Sequence, residues 1–245
     1  MSDDKKLTIF KHLGELRQRL IKSVIAIAIA SLVSFFFAPK IFEILILPAG
    51  DINLIFIEMT EMIGTYMKVS LASGIVLAMP YVVYHGIMFV SPALSRREKK
   101  YVYIMLPWIA LMFMAGITFS YFILVPPATR FLLSWGADIA TPQIKIGNYI
   151  AIVTRLLLLI GLVFEMPVVI AFLTRLGVVT PKWLASKRKS AIVIAFILAA
   201  IITPTFDPLN QSLVAAPLIA LYEMSIWVAK LVYRGTRNKA ALVTQ

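Results

Sequence analysis

The chain has 245 residues, of which 60% are hydrophobic and 15% charged, and its mean hydropathy of +0.89 predicts a polytopic membrane protein. Because it has no cysteine and only two histidines, disulfides, thiol nucleophiles and a multi-histidine metal site are excluded. The formal net charge of +12 is typical of nucleic-acid binding, but in a membrane protein basic residues also set orientation.

The N-terminal head, residues 1–20, is polar overall and contains one apolar stripe at helical spacing, formed by Ile9, Leu13, Leu16 and Leu20. This pattern predicts a cytoplasmic amphipathic helix on the membrane surface. It leads into a first span at about residues 21–38, which Pro39 ends. The apolar pieces of the loop at 39–66 are too short to cross a bilayer, so we expect a structured outer loop there.

Five more apolar segments predict spans, at about residues 67–90, 101–125, 149–174, 190–202 and 210–229. The third span of the chain stops at Pro126 and Pro127. The fifth reaches only about 20 Å, short of the roughly 30 Å hydrocarbon core, and Pro217 and Glu223 interrupt the sixth. Prolines within the spans predict kinks that bend the helices into a concave wall. The expected fold is an all-α single transmembrane domain, residues 1–245, with six spanning helices, two of them short, and a cytoplasmic tail at 230–245.

Basic residues are distributed unevenly between the two sides of the predicted membrane. Nineteen of the 24 lysines and arginines lie on the side shared by the N-terminus, the loops near 91–100 and 175–189, and the tail. The positive-inside rule therefore predicts that both termini are cytoplasmic, in a multi-pass protein of the cytoplasmic (inner) membrane. The charge marks orientation, so nucleic acid is not an expected partner.

One carboxylate, Glu165, lies well inside the fourth apolar segment. A charge there costs at least about 2.5 kcal/mol on insertion scales. No basic residue stands three or four positions away on its own helix. Glu165 must face other helices or water, or be protonated. Two interpretations remain open: a hydrogen bond that fixes helix packing, and a functional role within the membrane.

Two acidic residues on the predicted cytoplasmic side differ in their surroundings. Glu15 has Lys11 and Arg19 at helical spacing, which predicts an ordinary solvated pair. Glu98 has no base at that spacing, so it is a candidate site for an incoming guanidinium, whose planar fork matches a carboxylate.

The remaining acids and motifs favour structural roles. Asp207 lies in a tight outer turn, where an Asx turn or a helix cap is expected, and Glu223 in the sixth span is expected to bond between helices. The sequence contains no P-loop, GxSxG, HExxH or GxGxxG motif, so no enzyme is predicted. The absence of a clear inverted repeat disfavours a secondary transporter.

Several motifs, in chain order, resemble those of the TatC family, the largest subunit of the twin-arginine protein translocase. The stretch His12–Leu20 resembles the family's HLxELRxRL head, Phe89–Glu98 its FxxPALxxxE turn, and Phe164–Pro167 its FExP motif. Thr203 and Pro204, with Asp207 and Gln211, resemble its TPxD…Q turn. The ordered combination spans nearly the whole chain.

The resemblance implies a receptor, with no catalytic residue, no cofactor and no metal. Its implied partners are the twin-arginine signal peptides of folded cargo, single-span subunits of the TatA and TatB type, and the lipid bilayer, in an oligomeric complex driven by the proton-motive force. By position, the signal-peptide site would contain Glu15 and Glu98, with Arg17 and Phe89 nearby. Glu165 would be the polar group in the concave face. The outer cap and the surface near partner helices would contain Pro48, Asp207, Gln211 and Glu223.

Two other function classes remain as alternatives. A proton-coupled permease for small solutes would use Glu165 as its proton carrier, and it would transport solute as a purified single protein. A membrane-embedded enzyme would need a catalytic pair, which the sequence does not provide.

Overall fold

A computed structural model describes residues 2–50, 54–90, 96–134, 143–203 and 208–243. Its side chains are described for residues 13–50, 54–89, 103–131, 134, 143–203, 208 and 211–234. Helices dominate these residues: α1 Ser2–Ile46, α2 Glu61–Val90, α3 Arg96–Phe119, α4 Val125–Ser134, α5 Ile146–Phe164, α6 Met166–Arg175, α7 Pro181–Ser186, α8 Arg188–Ile202 and α9 Pro208–Val243. A 3₁₀ turn occupies Leu47–Ala49 and a π-helical turn Ser120–Leu124, which joins α3 to α4.

Among the described residues, five helical segments are long and apolar enough to cross a membrane: Leu13–Ala49, Glu61–Phe89, Tyr103–Phe131, Ile146–Arg175 and Gln211–Arg234. They correspond to five of the six predicted spans. The remaining predicted span is α8, which has only 15 residues. The largely helical membrane fold is confirmed, whereas the six-span count, the orientation of the termini, the single domain and the concave wall stay predictions.

Prolines end fewer helices than the sequence predicted. The prediction that Pro39 ends the first span is wrong, because α1 continues through it to Ile46. Membrane helices tolerate proline, since neighbouring groups satisfy the freed carbonyl. The predicted stop at Pro126 and Pro127 is also wrong: after the π-helical turn both prolines lie in the first turn of α4, where a missing N–H costs least.

Both ends of the chain are helical. The predicted helix of the head leads directly into the first span, because α1 runs without a break through residue 20, and its position on the membrane surface stays a prediction. The tail predicted at 230–245 is a continuation of α9, which is helical as far as Val243. In the loop that the sequence predicted to be structured, Leu54–Ile55 form a short strand, β1, which pairs in parallel with β2, Ile144–Lys145. The predicted structured loop therefore contains real secondary structure.

The chain forms two compact units, and the first consists of Met1–Leu45 and Glu58–Ala110. Within it, α1 and α2 approach closely at Ser31 and Gly74, where an added Cβ would lie 2.6 Å from the Cα of Ser31. The rings of Phe42 and Tyr66 stack with centroids 5.2 Å apart. A close approach with no side chain between the helices is typical of packing in membranes.

The second unit consists of Ile46–Ile57 and Leu111–Gln245. Its helices α6, α7 and α8 all pack against α9. A buried cluster of Ile170, Leu184, Ile226 and Ala229 joins α6 and α7 to α9. Thr180 caps α7 by accepting a hydrogen bond from the backbone N–H of Trp183 at 3.3 Å, which explains why that short helix begins at Pro181.

Candidate functional site

Glu165 lies at a break between α5 and α6. Pro167 has no N–H to donate, so the helical ladder is interrupted there. The backbone carbonyl of Glu165 instead accepts hydrogen bonds from Val168 at 3.1 Å and Val169 at 3.0 Å, which start α6. The FExP sequence therefore fixes this carboxylate at a helix junction within the candidate span.

The side chain of Glu165 is only 3% exposed. Neither carboxylate oxygen makes a well-formed hydrogen bond to another described residue, although the backbone of Phe113 approaches it. A buried polar group without a partner is destabilising, by about 1–3 kcal/mol in mutational data. The packing hydrogen bond that the sequence left open for Glu165 is thus not formed among the described side chains.

An apolar groove of about 440 Å³ lies beside this junction, between the α3–α5 region and α9. The ring of Phe164, next to Glu165 in sequence, is 5.4 Å from that of Phe119, and both line the groove. The opposite wall is formed by α9 around its internal proline, with Ala216, Pro217, Ala220, Leu221 and Met224. The neighbourhood of Glu165 is therefore strongly apolar.

Glu15 occurs in the first unit as a half-buried carboxylate already bonded to a guanidinium. Arg19, one turn further along α1, donates from Nε to its Oε1 at 3.2 Å, and Nη2 contacts the same oxygen. The pair predicted from the i, i+4 spacing is confirmed. Arg17 is exposed on the same helix, and Phe89 is half-buried near the end of α2.

Glu98 lies in the first turn of α3, which begins at Arg96. A negative charge in the first turn interacts favourably with the helix dipole. Its side chain falls outside the described residues, so only its place on the helix is known. Glu15, Phe89 and Glu98 all belong to the first compact unit.

The residues expected near partner helices have mixed surroundings. Glu223 of α9 forms a bidentate ion pair with Arg188 at the start of α8. Arg188 donates from Nε to Oε1 at 2.7 Å and from Nη2 to Oε2 at 2.9 Å. The hydrogen bonds and charge of Glu223 raise the pKa of Arg188 above its ordinary value. The predicted interhelical bond of Glu223 is therefore present.

A hydrogen bond also joins α9 to α8, because the side-chain amide of Gln211 donates to the backbone carbonyl of Phe196 at 2.9 Å. Pro48 lies half-buried in the 3₁₀ turn Leu47–Ala49, and Asp207 is outside the described residues. Within the part of the chain that the structure describes, no group of three or more His, Asp or Glu side chains is placed to hold a metal ion.

Comparison with known proteins decides the family. The family model described as "Sec-independent protein translocase protein (TatC)" matches residues 11–217. The chain belongs to the TatC family. The resemblance that the motifs predicted is confirmed, and TatC is a component of a transport machine, not an enzyme.

Relatives of nearly equal length support this assignment. The TatC protein of Carboxydothermus hydrogenoformans is 42% identical over 94% of this chain and 96% of its own. That of Aquifex aeolicus is 43% identical over 95% and 98%. A crystal structure of the twin-arginine translocase receptor TatC is similar with a TM-score of 0.80 and 43% identity, covering 90% of this chain and 99% of that one. A second, of the same receptor in the detergent DDM, gives a TM-score of 0.81.

Proposed function

We propose that this TatC protein is the receptor subunit of a twin-arginine translocase, which binds twin-arginine signal peptides of folded proteins and starts assembly of the complex. The observation that carries the proposal is the similarity, over nearly the full length of both chains, to a crystallised TatC receptor. Export would take place across the cell membrane, with both termini cytoplasmic and the proton-motive force as the energy source.

Recognition of paired arginines would rest on Glu15 and Glu98. The bond between Glu15 and Arg19 supports this, because the carboxylate of Glu15 already accepts a hydrogen bond from a guanidinium, in the N-terminal part of α1 that would be cytoplasmic. An incoming arginine would replace Arg19 instead of desolvating a free charge, so the exchange costs little. Arg17 and Phe89 would contact the flanking parts of the peptide.

A peptide that carries a photoactivatable group next to its Arg-Arg pair tests this recognition. We expect Glu15→Gln or Glu98→Gln to weaken crosslinking to the reconstituted protein by roughly 10- to 100-fold, because a hydrogen bond to a charged group contributes about 1.5–3 kcal/mol. Glu43→Gln, which removes an exposed carboxylate from the same helix as Glu15, is the matched control. A Lys-Lys peptide should crosslink much less, because a lysine ammonium cannot form the two parallel hydrogen bonds that a guanidinium donates to a carboxylate. Equal crosslinking of both peptides would rule out this account.

Single-span partner subunits would dock against α8 and α9. These helices form an apolar groove of about 570 Å³, lined by Ile192, Val193, Phe196, Ile197, Ala200, Ile201 and Gln211. Most of this lining is exposed, so the groove is accessible to a partner helix. The inner wall is held in place by the Gln211–Phe196 hydrogen bond.

Disulfide crosslinking tests the docking site, because the chain has no cysteine of its own. A cysteine introduced by Ile197→Cys should crosslink to a cysteine scanned along the partner's span, whereas Leu32→Cys on the exposed face of α1 should not. If the partner's cysteines crosslink to α1 and not to α8, the groove is not the docking site.

Discharge of the proton gradient with an ionophore should stop export while peptide crosslinking continues.

A further inference from the structure

The ion pair between Arg188 and Glu223 indicates where the second unit leaves the hydrocarbon core of the membrane. Arg188 is the first residue of α8 and stands between two lysines, Lys187 and Lys189. Three adjacent bases cannot lie in hydrocarbon without a large cost. The edge of the hydrocarbon core on this side therefore lies near Glu223 of α9, which Arg188 contacts directly, and the residues that follow Glu223 enter the headgroup region.

Helix α9 does not end at that level. It continues to Val243, and at 1.5 Å per residue the twenty residues after Glu223 extend about 30 Å further. One side of the first part of this extension is covered, because Ile226 and Ala229 are buried against α6 and α7. The opposite side is open.

The open side combines apolar and basic groups. Trp227 is 65% exposed and Leu231 69% exposed, and Met224 is also exposed. Lys230 and Arg234 lie on the same face, with Lys230 Nζ 5.2 Å from the centre of the Trp227 ring. We refer to Met224, Trp227, Lys230, Leu231 and Arg234 as the α9 face.

The charge of the extension has a single sign. From residue 224 to 245 there are four bases, Lys230, Arg234, Arg237 and Lys239, and no acid. A surface of this kind is complementary to anionic phospholipid headgroups, which attract juxtamembrane lysine and arginine. Aromatic and aliphatic side chains between the bases fit the boundary between headgroups and acyl chains, where tryptophan is enriched.

We propose that the α9 face binds the anionic phospholipids of the leaflet from which α9 emerges. Trp227 and Leu231 enter the headgroup boundary, and Lys230 and Arg234 contact lipid phosphates. Full immersion in hydrocarbon would leave the two charges unsolvated, and full exposure to water would leave an uncovered apolar patch. The interface satisfies both sets of groups.

A fluorescent probe on the full-length protein tests the proposal. Leu231→Cys gives a unique labelling site, and Met224→Cys gives a second site on the same face. The labelled protein is reconstituted in phosphatidylcholine nanodiscs with or without phosphatidylglycerol. We expect a lipid quencher placed near the headgroup to quench the probe most strongly, and to do so more when phosphatidylglycerol is present. The quenching gives the ratio of protein whose α9 face is bound to the lipid surface to protein whose α9 face is released. Lys230→Gln and Arg234→Gln should each lower this ratio by about fivefold.

The variant pair Lys40→Gln and Lys68→Gln is the matched control, because it removes the same charge from exposed positions on α1 and α2. It should leave the probe signal unchanged. Strongest quenching by aqueous iodide would place the face in water and overturn the proposal. Strongest quenching by a lipid quencher at the chain end, regardless of phosphatidylglycerol, would place it in hydrocarbon and overturn it too. Equal quenching of the probe in the charge variants and in the control pair would also overturn the proposal.

Discussion

A close helix crossing in the second unit offers a sharp test of the packing. Gly116 near the end of α3 faces Gly161 of α5. A Cβ added at Gly116 would lie 2.8 Å from the Cα of Gly161 and 2.8 Å from the Cβ and Cγ of Phe164. Real Cβ atoms essentially never approach closer than 3.0 Å, so Gly116→Ala must move the two helices apart.

The size of the effect follows from what the new methyl group meets. Overpacking of a well-packed interior costs about 1–3 kcal/mol. We expect the upper half of that range at Gly116, because one contact is a backbone atom that no rotamer change can move. At Gly161 the new Cβ would meet the ring of Phe113, at 2.8 Å, and the side chain of Ile117, at 3.3 Å. Side chains yield more easily, so Gly161→Ala should cost less.

A matched glycine separates overpacking from backbone effects. Replacing glycine by alanine inside a helix also favours the helix by up to about 1 kcal/mol. Gly86 of α2 has nothing within 4 Å of an added Cβ, so Gly86→Ala shows that gain alone. The free energy of unfolding in mild detergent, measured by steric trapping, should be lower for Gly116→Ala than for Gly86→Ala by about 2–3 kcal/mol. Equal stabilities would refute the close crossing.

Three further predictions concern other parts of the molecule. Gly74→Ala should destabilise the first unit in the same assay, because its Cβ would lie 2.5 Å from the backbone nitrogen of Ser31; a stability equal to that of the control would contradict the close approach. Neutralising either Arg188 or Glu223 should lower the temperature at which the protein aggregates in detergent, and exchanging the two charges should restore it; failure of the exchange would mean that the pair does not join α8 to α9. Glu165→Ala should leave Arg-Arg peptide crosslinking intact but impair transport or partner assembly; unchanged transport would make Glu165 a packing residue.

The sequence predicted the positions of the long helices well, because a run of about 20 apolar residues leaves few alternatives in a bilayer. Proline misled the prediction at Pro39 and Pro126. Its helix-breaking effect comes from a lost hydrogen bond and a clash with the preceding turn, and a π-helical turn or neighbouring helices can absorb both. Such compensation depends on tertiary packing, which no local pattern contains.

Contacts between distant residues were beyond the sequence. Arg188 was visible only as one base in a basic loop, because its partner Glu223 stands 35 residues away. The pairing of Gly116 with Gly161 had no signal apart from the glycines themselves. The i, i+4 pair of Glu15 and Arg19, in contrast, was predictable, since helical periodicity alone brings the two side chains together.

Glu165 stands out in the sequence because the features around it weaken the fold. Pro167 removes a hydrogen bond from the helix, and the neighbouring carboxylate is buried without a well-formed partner among the described side chains. Both features reduce stability, and a leucine at position 165 would avoid the second. A local cost with no compensating contact is expected at functional sites. Packing among the described residues explains neither the break nor the buried carboxylate, so a role for Glu165 in transport stays a prediction, which the transport assay of Glu165→Ala tests.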